Sequence, residues 1–276
     1  MHLFNKVAVI GTGLIGGSLA LIIKKQKLAK KVVGVARHQA SLDLALKNKV
    51  IDRGALSLNV IKGADLLILA APVDTIINLR KKILKFVSRD CIVTDVGSTK
   101  EKIVSLLAGS FPNYVGSHPL AGSEKRGVSH AQAGIFKGTL CILTPTAKTR
   151  RAAMKKIQAL WRKAGAKVIY LSPGEHDRVL SFTSHLPHAV AFSLINSIPA
   201  DTLKFSASGL KDSTRIAASD ALLWQGIFLT NRKNMLKAIT AFEKKLLRIK
   251  SAISQNDKEK LTAILTRAQK KRNSLG

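Results

Sequence analysis

The segment Gly11-Thr12-Gly13-Leu14-Ile15-Gly16 constrains this chain more than any other. It follows the apolar run Val7–Ile10 directly and opens a helical pattern, Ile15–Lys25. In a strand–turn–helix unit, the first glycine permits the tight turn and the second lets the backbone approach a pyrophosphate. The third lets helix pack on strand. The anion then sits at the helix N-terminus, where unpaired N–H groups and the dipole favour negative charge. Gly11, Gly13, Leu14, Ile15 and Gly16 are therefore expected to bind a dinucleotide.

The chain of 276 residues has room for more than one core. Short apolar runs recur at Val7–Ile10, Val32–Val35, Leu66–Ala71, Ile92–Val96, Tyr114–Gly116 and Cys141–Leu143. Most lack strict alternation, as expected for parallel strands covered on both faces. Helical patterns such as Thr75–Phe86 fall between them, so the fold class is α/β with a doubly wound sheet. Val168–Leu171 adds a further candidate strand. At Ser172-Pro173-Gly174-Glu175, an N-cap serine, proline at N1 and glutamate at N3 predict a helix start. No convincing strand follows. Residues 1–171 are thus read as the dinucleotide-binding domain and residues 172–276 as a helical domain. Met235, Ile239, Phe242, Leu246, Ile249 and Ile253 form an apolar stripe on one long helix, which either joins the intrachain core or covers a second copy.

Lys and Arg number 46 against 16 Asp and Glu, a formal net charge of +30. The lysines are spread along the chain, with no aromatic-studded basic stripe and no recognition-helix or zinc-finger pattern. Nucleic acid is not the expected partner; a solvated basic surface that steers anionic substrate is. No signal-peptide layout opens the sequence, and the uncharged stretch Val7–Ile23 is broken by glycines. No membrane span is expected. Cys91 and Cys141 lie in apolar segments and read as buried free thiols, which fits a reducing cytoplasm.

The end of the second apolar run bears on cofactor choice. A carboxylate about 20 residues beyond the glycine loop usually accepts the ribose hydroxyls of NAD. Here the sequence reads Gly34-Val35-Ala36-Arg37-His38. With no acid at Ala36, Arg37 and His38 favour the extra phosphate of NADP, with NAD as the alternative. Ligands in open α/β sheets collect beyond the carboxyl ends of strands, so Ala71, Pro72 and Ser98 join the cofactor residues.

Two strand ends carry chemistry: Asp95-Val96-Gly97-Ser98-Thr99-Lys100, and Gly116-Ser117-His118-Pro119-Leu120-Ala121-Gly122-Ser123-Glu124. A histidine beside a nicotinamide site suits proton abstraction from an alcohol, because its pKa lies near working pH. A third cluster places Asp177, Ser181, Ser184, His185 and His188 on roughly one face of a helix that Pro187 could kink. The His185/His188 spacing could serve a metal, yet no carboxylate or cysteine pattern completes a site, so no metal is expected. The fourth cluster, Ser208-Gly209-Leu210-Lys211-Asp212-Ser213-Thr214-Arg215, ends in an arginine able to clamp a carboxylate.

Together these segments resemble the prephenate/arogenate dehydrogenase family, prephenate-specific members most. The motifs that carry the resemblance are the glycine loop, DVGSTK at 95–100, GSHPLAGSEKRG at 116–127, EHDRVLSFTSHLPHAVAF at 175–192 and ASGLKDSTRIAASD at 207–220. They occur in family order across nearly the whole chain. The resemblance implies an N-terminal Rossmann domain, an all-helical dimerisation domain and a site in the cleft between them. It assigns His118 as the catalytic histidine, and Ser98 as the serine that bonds the substrate hydroxyl and helps orient that histidine. Arg215 grips a substrate carboxylate, and His188 belongs with the substrate's side chain. Glu124 and Ser123 lie at the cleft entrance, and His176 in the matching helix start. The implied reaction is oxidative decarboxylation of prephenate to 4-hydroxyphenylpyruvate, toward tyrosine, by a cytoplasmic homodimer. Arogenate dehydrogenase is the nearest rival. A basic nucleic-acid-binding protein on a Rossmann scaffold is the distant one.

Overall fold

A computed structural model of the chain describes residues 2–122 and 127–275. Eight strands form one sheet: β1 (Phe4–Ile10), β2 (Ala29–Val35), β3 (Arg53–Ala55), β4 (Leu66–Leu69), β5 (Ile92–Asp95), β6 (Tyr114–Pro119), β7 (Leu140–Thr144) and β8 (Lys167–Tyr170). Their spatial order is β3-β2-β1-β4-β5-β6-β7-β8. The first six run parallel. Between them and β8 lie α1 (Leu14–Lys25), α2 (Gln39–Lys47), α3 (Val73–Ile83), α4 (Glu101–Leu107) and α5 (Arg151–Lys163).

The apolar runs explain the two-sided burial. Successive strand residues point to opposite faces. Val7, Val9, Leu66 and Ile68 pack with Leu19, Ile23, Leu42 and Trp161 on one face. Ala8, Ile10, Leu67 and Leu69 pack with Ile76, Ile83, Ile103 and Leu107 on the other. A strand buried on both faces has no polar side to alternate with, hence its continuous apolar run.

Two details depart from the sequence reading. β7 runs antiparallel to β6, and β8 parallel to β7. A parallel return needs a crossover, usually an α-helix. The described residues between Pro119 and Leu140 hold only the short 3-10 turn Val128–His130. In addition β6 continues past Gly116 to Pro119, so His118 sits within the strand, opposite Ile142. Fully buried Trp161 secures that stretch: its indole N–H donates to Ser117 Oγ at 3.1 Å, and its ring meets Phe136 edge-on.

Among the described residues no strand follows Tyr170. The helices there are α6 (Pro173–Leu180), α7 (Leu186–Asn196), α8 (Ser208–Thr214), α9 (Ala221–Thr230), α10 (Arg232–Ser254) and α11 (Lys258–Asn273). By contact the chain divides into two units, one reaching Asn231 and the other starting at Arg232. The first therefore keeps α6–α9 with the sheet, because Trp224 and Ile227 of α9 enter the same apolar cluster as Ile76 and Ile103. In the second unit α10 and α11 pack on each other. On α10, Met235 is buried while Leu246 and Ile253 are 55% and 62% exposed. Part of the predicted stripe thus stays uncovered within the chain.

Pro187 does not break its helix. Ser181–His185 form a π-turn between α6 and α7, with Leu186 N–H donating to Ser181 C=O. A proline has no N–H and its ring crowds the carbonyl four residues back; the wider turn relieves both demands.

The helix start at Ser172 takes the predicted form, with Ser172 Oγ accepting from Glu175 N–H at 3.2 Å. Ser172→Ala should lower stability by about 1 kcal/mol, read as a lower urea midpoint with unchanged slope.

Candidate active site

The glycine loop is shaped by three different demands. Gly11 has φ +95°, and a Cβ there would fall 2.1 Å from the Ala70 carbonyl oxygen. A Cβ at Gly16 would fall 2.0 Å from the Gly11 oxygen. These two permit the turn and the strand–helix contact. Gly13 faces open space, with nothing within 4 Å of a built Cβ. As N-cap of α1 it offers no side-chain acceptor to the first N–H groups of the helix. That open cradle fits a dinucleotide pyrophosphate. Leu14 and Ile15 are half-buried beside it. Ala36 follows β2, and Arg37 and His38 are exposed where the chain turns into α2. Half-buried Ala71 and exposed Pro72 lead from β4 into α3.

At the ends of β5 and β6 the structure builds a buried polar chain. His118 Nδ1 lies 2.8 Å from His176 Nε2, and His176 Nδ1 lies 2.7 Å from Asp177 Oδ1. Asp177 accepts the backbone N–H groups of Lys100 (2.7 Å) and Glu101 (2.9 Å), which open α4. The Lys100 ammonium pairs with Asp95, both fully buried. Asp95 also accepts from Tyr114 Oη at 2.6 Å and Gly97 N–H at 2.8 Å.

These neighbours set the electrostatics. Burial first, then His176, Lys100 and His185, holds the His118 imidazole well below the usual histidine range. The sequence reading placed that pKa near working pH; burial and a nearby ammonium move it down. His176 is lowered by burial and Lys100. Burial raises Asp177, against the lowering pull of the two backbone donors.

His176, which the sequence reading grouped with the substrate contacts, is fully buried and both its ring nitrogens are engaged. Half-buried Ser98 sits in the loop between β5 and α4, while His118 Nδ1 is bonded to His176. Buried His185 accepts from Asn231 Nδ2 at 3.1 Å, and burial lowers its pKa to about 4. The Ser98 backbone lies near enough to oppose that lowering. His188 stacks on Trp224 with ring centroids 3.5 Å apart and donates from Nδ1 to the Ser184 carbonyl at 3.0 Å. Its pKa is lowered by burial, with exposed Arg215 adding to that effect. Ser123 and Glu124 lie outside the described residues.

Sequence reasoning missed Lys100, Trp224 and Asn231, and gave Asp177 no task. The signal for Asp177 was adjacency to His176. Nothing in the sequence pointed to Trp224 or Asn231.

Comparison with known proteins gives this geometry a family. The sequence model "Prephenate dehydrogenase, nucleotide-binding domain" matches residues 19–170. "Prephenate dehydrogenase, dimerization domain" matches residues 172–267. The prephenate dehydrogenase of Bacillus subtilis is 35% identical, covering 98% of this chain and 76% of that protein. A cyclohexadienyl dehydrogenase of Zymomonas mobilis is 32% identical, covering 100% and 97%. The crystal structure of Aquifex aeolicus prephenate dehydrogenase, in complex with hydroxyphenyl propionate and NAD+, superposes with a TM-score of 0.94 at 37% identity, covering 99% of this chain and 98% of that one. With two domain models matched in order and such identity along nearly its whole length, the chain belongs to the prephenate dehydrogenase family of nicotinamide-dependent oxidoreductases.

Proposed function

We propose that the chain oxidises and decarboxylates prephenate to 4-hydroxyphenylpyruvate, with His118 as proton acceptor and NADP preferred over NAD. The observation that carries this reading is His118 itself, within the last residues of β6 and held neutral by burial and Lys100. With Nδ1 engaged by His176, His118 Nε2 is the nitrogen left to take the substrate's 4-hydroxyl proton. When bound, the nicotinamide takes up the hydride from C4. Loss of the ring carboxylate as CO2 leaves its electron pair in the ring, which becomes aromatic.

The remaining roles follow from chemistry and placement. Ser98, beside His185, bonds the reacting hydroxyl. Arg215 pairs with a substrate carboxylate as a guanidinium fork. His188, held flat on Trp224, lies beside the substrate's side chain. Its Nδ1 is spent on the Ser184 carbonyl, so the neutral ring offers a bare Nε2 acceptor. That supports arogenate as a second substrate, since an ammonium group donates where a ketone cannot.

Residues 1–171 serve the cofactor, and residues 172–276 serve substrate and a homodimer contact. The exposed Leu246 and Ile253 support such a contact. Buried free thiols at Cys91 and Cys141 support a reducing cytoplasmic setting. No described helix is long and apolar enough to cross a membrane.

A base with a lowered pKa loses activity only when pH falls through that lowered value. kcat/KM for prephenate should therefore stay level down through about pH 6.5, the ordinary histidine value, and drop only in stronger acid. His118→Asn should cut kcat about 100-fold or more and abolish that limb. Near-native kcat in the variant would remove His118 from the reaction.

For the cofactor, a charge-assisted bond from Arg37 to a 2′-phosphate contributes about 1.5–3 kcal/mol. NADP should exceed NAD at least about tenfold in kcat/KM. Ala36→Asp with Arg37→Ile should reverse the order. Assays of prephenate and arogenate with each cofactor, in wild type and double variant, read both choices. Equal or better activity with NAD in the wild type overturns the Arg37 assignment alone.

A further inference from the structure

The three side chains Asp177, His176 and His118 are buried and linked end to end, and the direction of their hydrogen bonds follows from what each can donate. Asp177 receives two backbone N–H groups, from Lys100 and Glu101, in the neighbourhood of the Lys100 ammonium. Burial raises its pKa, while the converging donors and the ammonium oppose that rise; with both oxygens accepting backbone N–H groups, the group acts toward His176 as an acceptor. His176 must then carry its proton on Nδ1, 2.7 Å from Asp177 Oδ1. A neutral imidazole has one N–H, so His176 Nε2 is bare and accepts from His118 Nδ1 across 2.8 Å. His118 is left with its lone pair on Nε2.

We propose that Asp177 and His176 are positioning residues that lock His118 in the Nδ1–H tautomer, so that Nε2 is the basic atom. This rests on His118 being the proton acceptor. The resting tautomer, however, is readable without turnover, so the two ideas fail separately.

The arrangement needs no charged histidine. Lys100, His176 and His185 all disfavour a second cation beside His118, and no acidic side chain contacts His118 directly among the described residues. The carboxylate therefore acts through His176: it sets which nitrogen of His118 holds the proton and leaves the ring neutral. An amide in place of the Asp177 carboxylate breaks the lock. Asp177 Oδ1 accepts from both the Lys100 N–H and His176 Nδ1, and Oδ2 from the Glu101 N–H, so an amide sets its N–H2 against a donor in either orientation. Where the N–H2 faces His176, Nδ1 of that ring has to accept. His176 would then carry its proton on Nε2, and His118 Nδ1 would have to accept. The proton of His118 would move to Nε2, where the substrate needs a lone pair.

The test is long-range 1H–15N spectroscopy of histidine-labelled full-length protein near pH 8, with the His118 signals assigned from their loss in His118→Asn. In the wild type, Nδ1 of His118 should appear protonated and Nε2 bare. Asp177→Asn should populate the reversed pattern and lower kcat at least about tenfold. KM for prephenate should stay within about threefold, because substrate contacts are untouched. His176→Leu removes the acceptor altogether, so both His118 tautomers should appear and kcat should fall at least about tenfold. It serves as the second arm should Asp177→Asn fail to fold. A wild-type His118 with its proton on Nε2 overturns the proposal. So does a folded Asp177→Asn or His176→Leu with native tautomer and native kcat. Loss of kcat without change of tautomer also overturns it, since the effect would then come from displaced packing.

Discussion

Lys100 and Glu101 present two backbone N–H groups at the start of α4, and one carboxylate, Asp177, accepts both. The partners are 77 and 76 residues apart in sequence. The bond pair thereby fastens α6 to the loop that leaves β5. Burial makes the attachment strict: leaving a buried donor unpaired costs about 1–3 kcal/mol, more where charge is involved. His176, the residue before Asp177, is carried into position by the same attachment, and with it the ring bonded to His118.

A second constraint lies directly beneath. Lys100 is fully buried, and its charge is compensated by Asp95, which is held in turn by Tyr114 and the Gly97 N–H. A buried pair of this kind offers little net stability against an apolar replacement, and its clearest effect is on neighbouring groups. Here its neighbours are histidines, and the ammonium helps keep His118 and His176 neutral. The polar chain from Asp95 through Lys100 to Asp177 and His118 thus links support and reactivity in one water-poor network, where each hydrogen bond matters more than at the surface.

The helical side meets another demand. His185 and His188 sit on either side of Pro187, and the π-turn at Ser181–His185 resolves the strain that proline imposes. The wider turn lets the chain pass from α6 into α7 without leaving helical backbone, while His185 reaches Asn231 and His188 reaches Trp224. Asn231 Nδ2 also donates to the Asp177 carbonyl at 2.8 Å, which ties the end of α9 to the same short region of α6.

Much of this was legible in local pattern. The glycine loop announced strand, turn and helix because only glycine fits at Gly11 and Gly16. The unbroken apolar runs announced strands covered on both faces, and Ser172 announced its helix through its own hydroxyl. These are short-range rules, in which the residues that decide the outcome lie within a few positions of one another. The reversal of β7, the placement of His176 behind His118 and the depth at which Lys100 is buried were decided elsewhere. Each depends on which distant segments share the interior: the connection after Pro119, the approach of α6 to α4, and the exclusion of water from their junction. The sequence by itself determined the glycine turn, the apolar strands and the helix start at Ser172. Only the tertiary structure decided the partners and charge states of the buried polar residues, because desolvation and hydrogen-bond direction exist only once segments far apart in the chain are packed together.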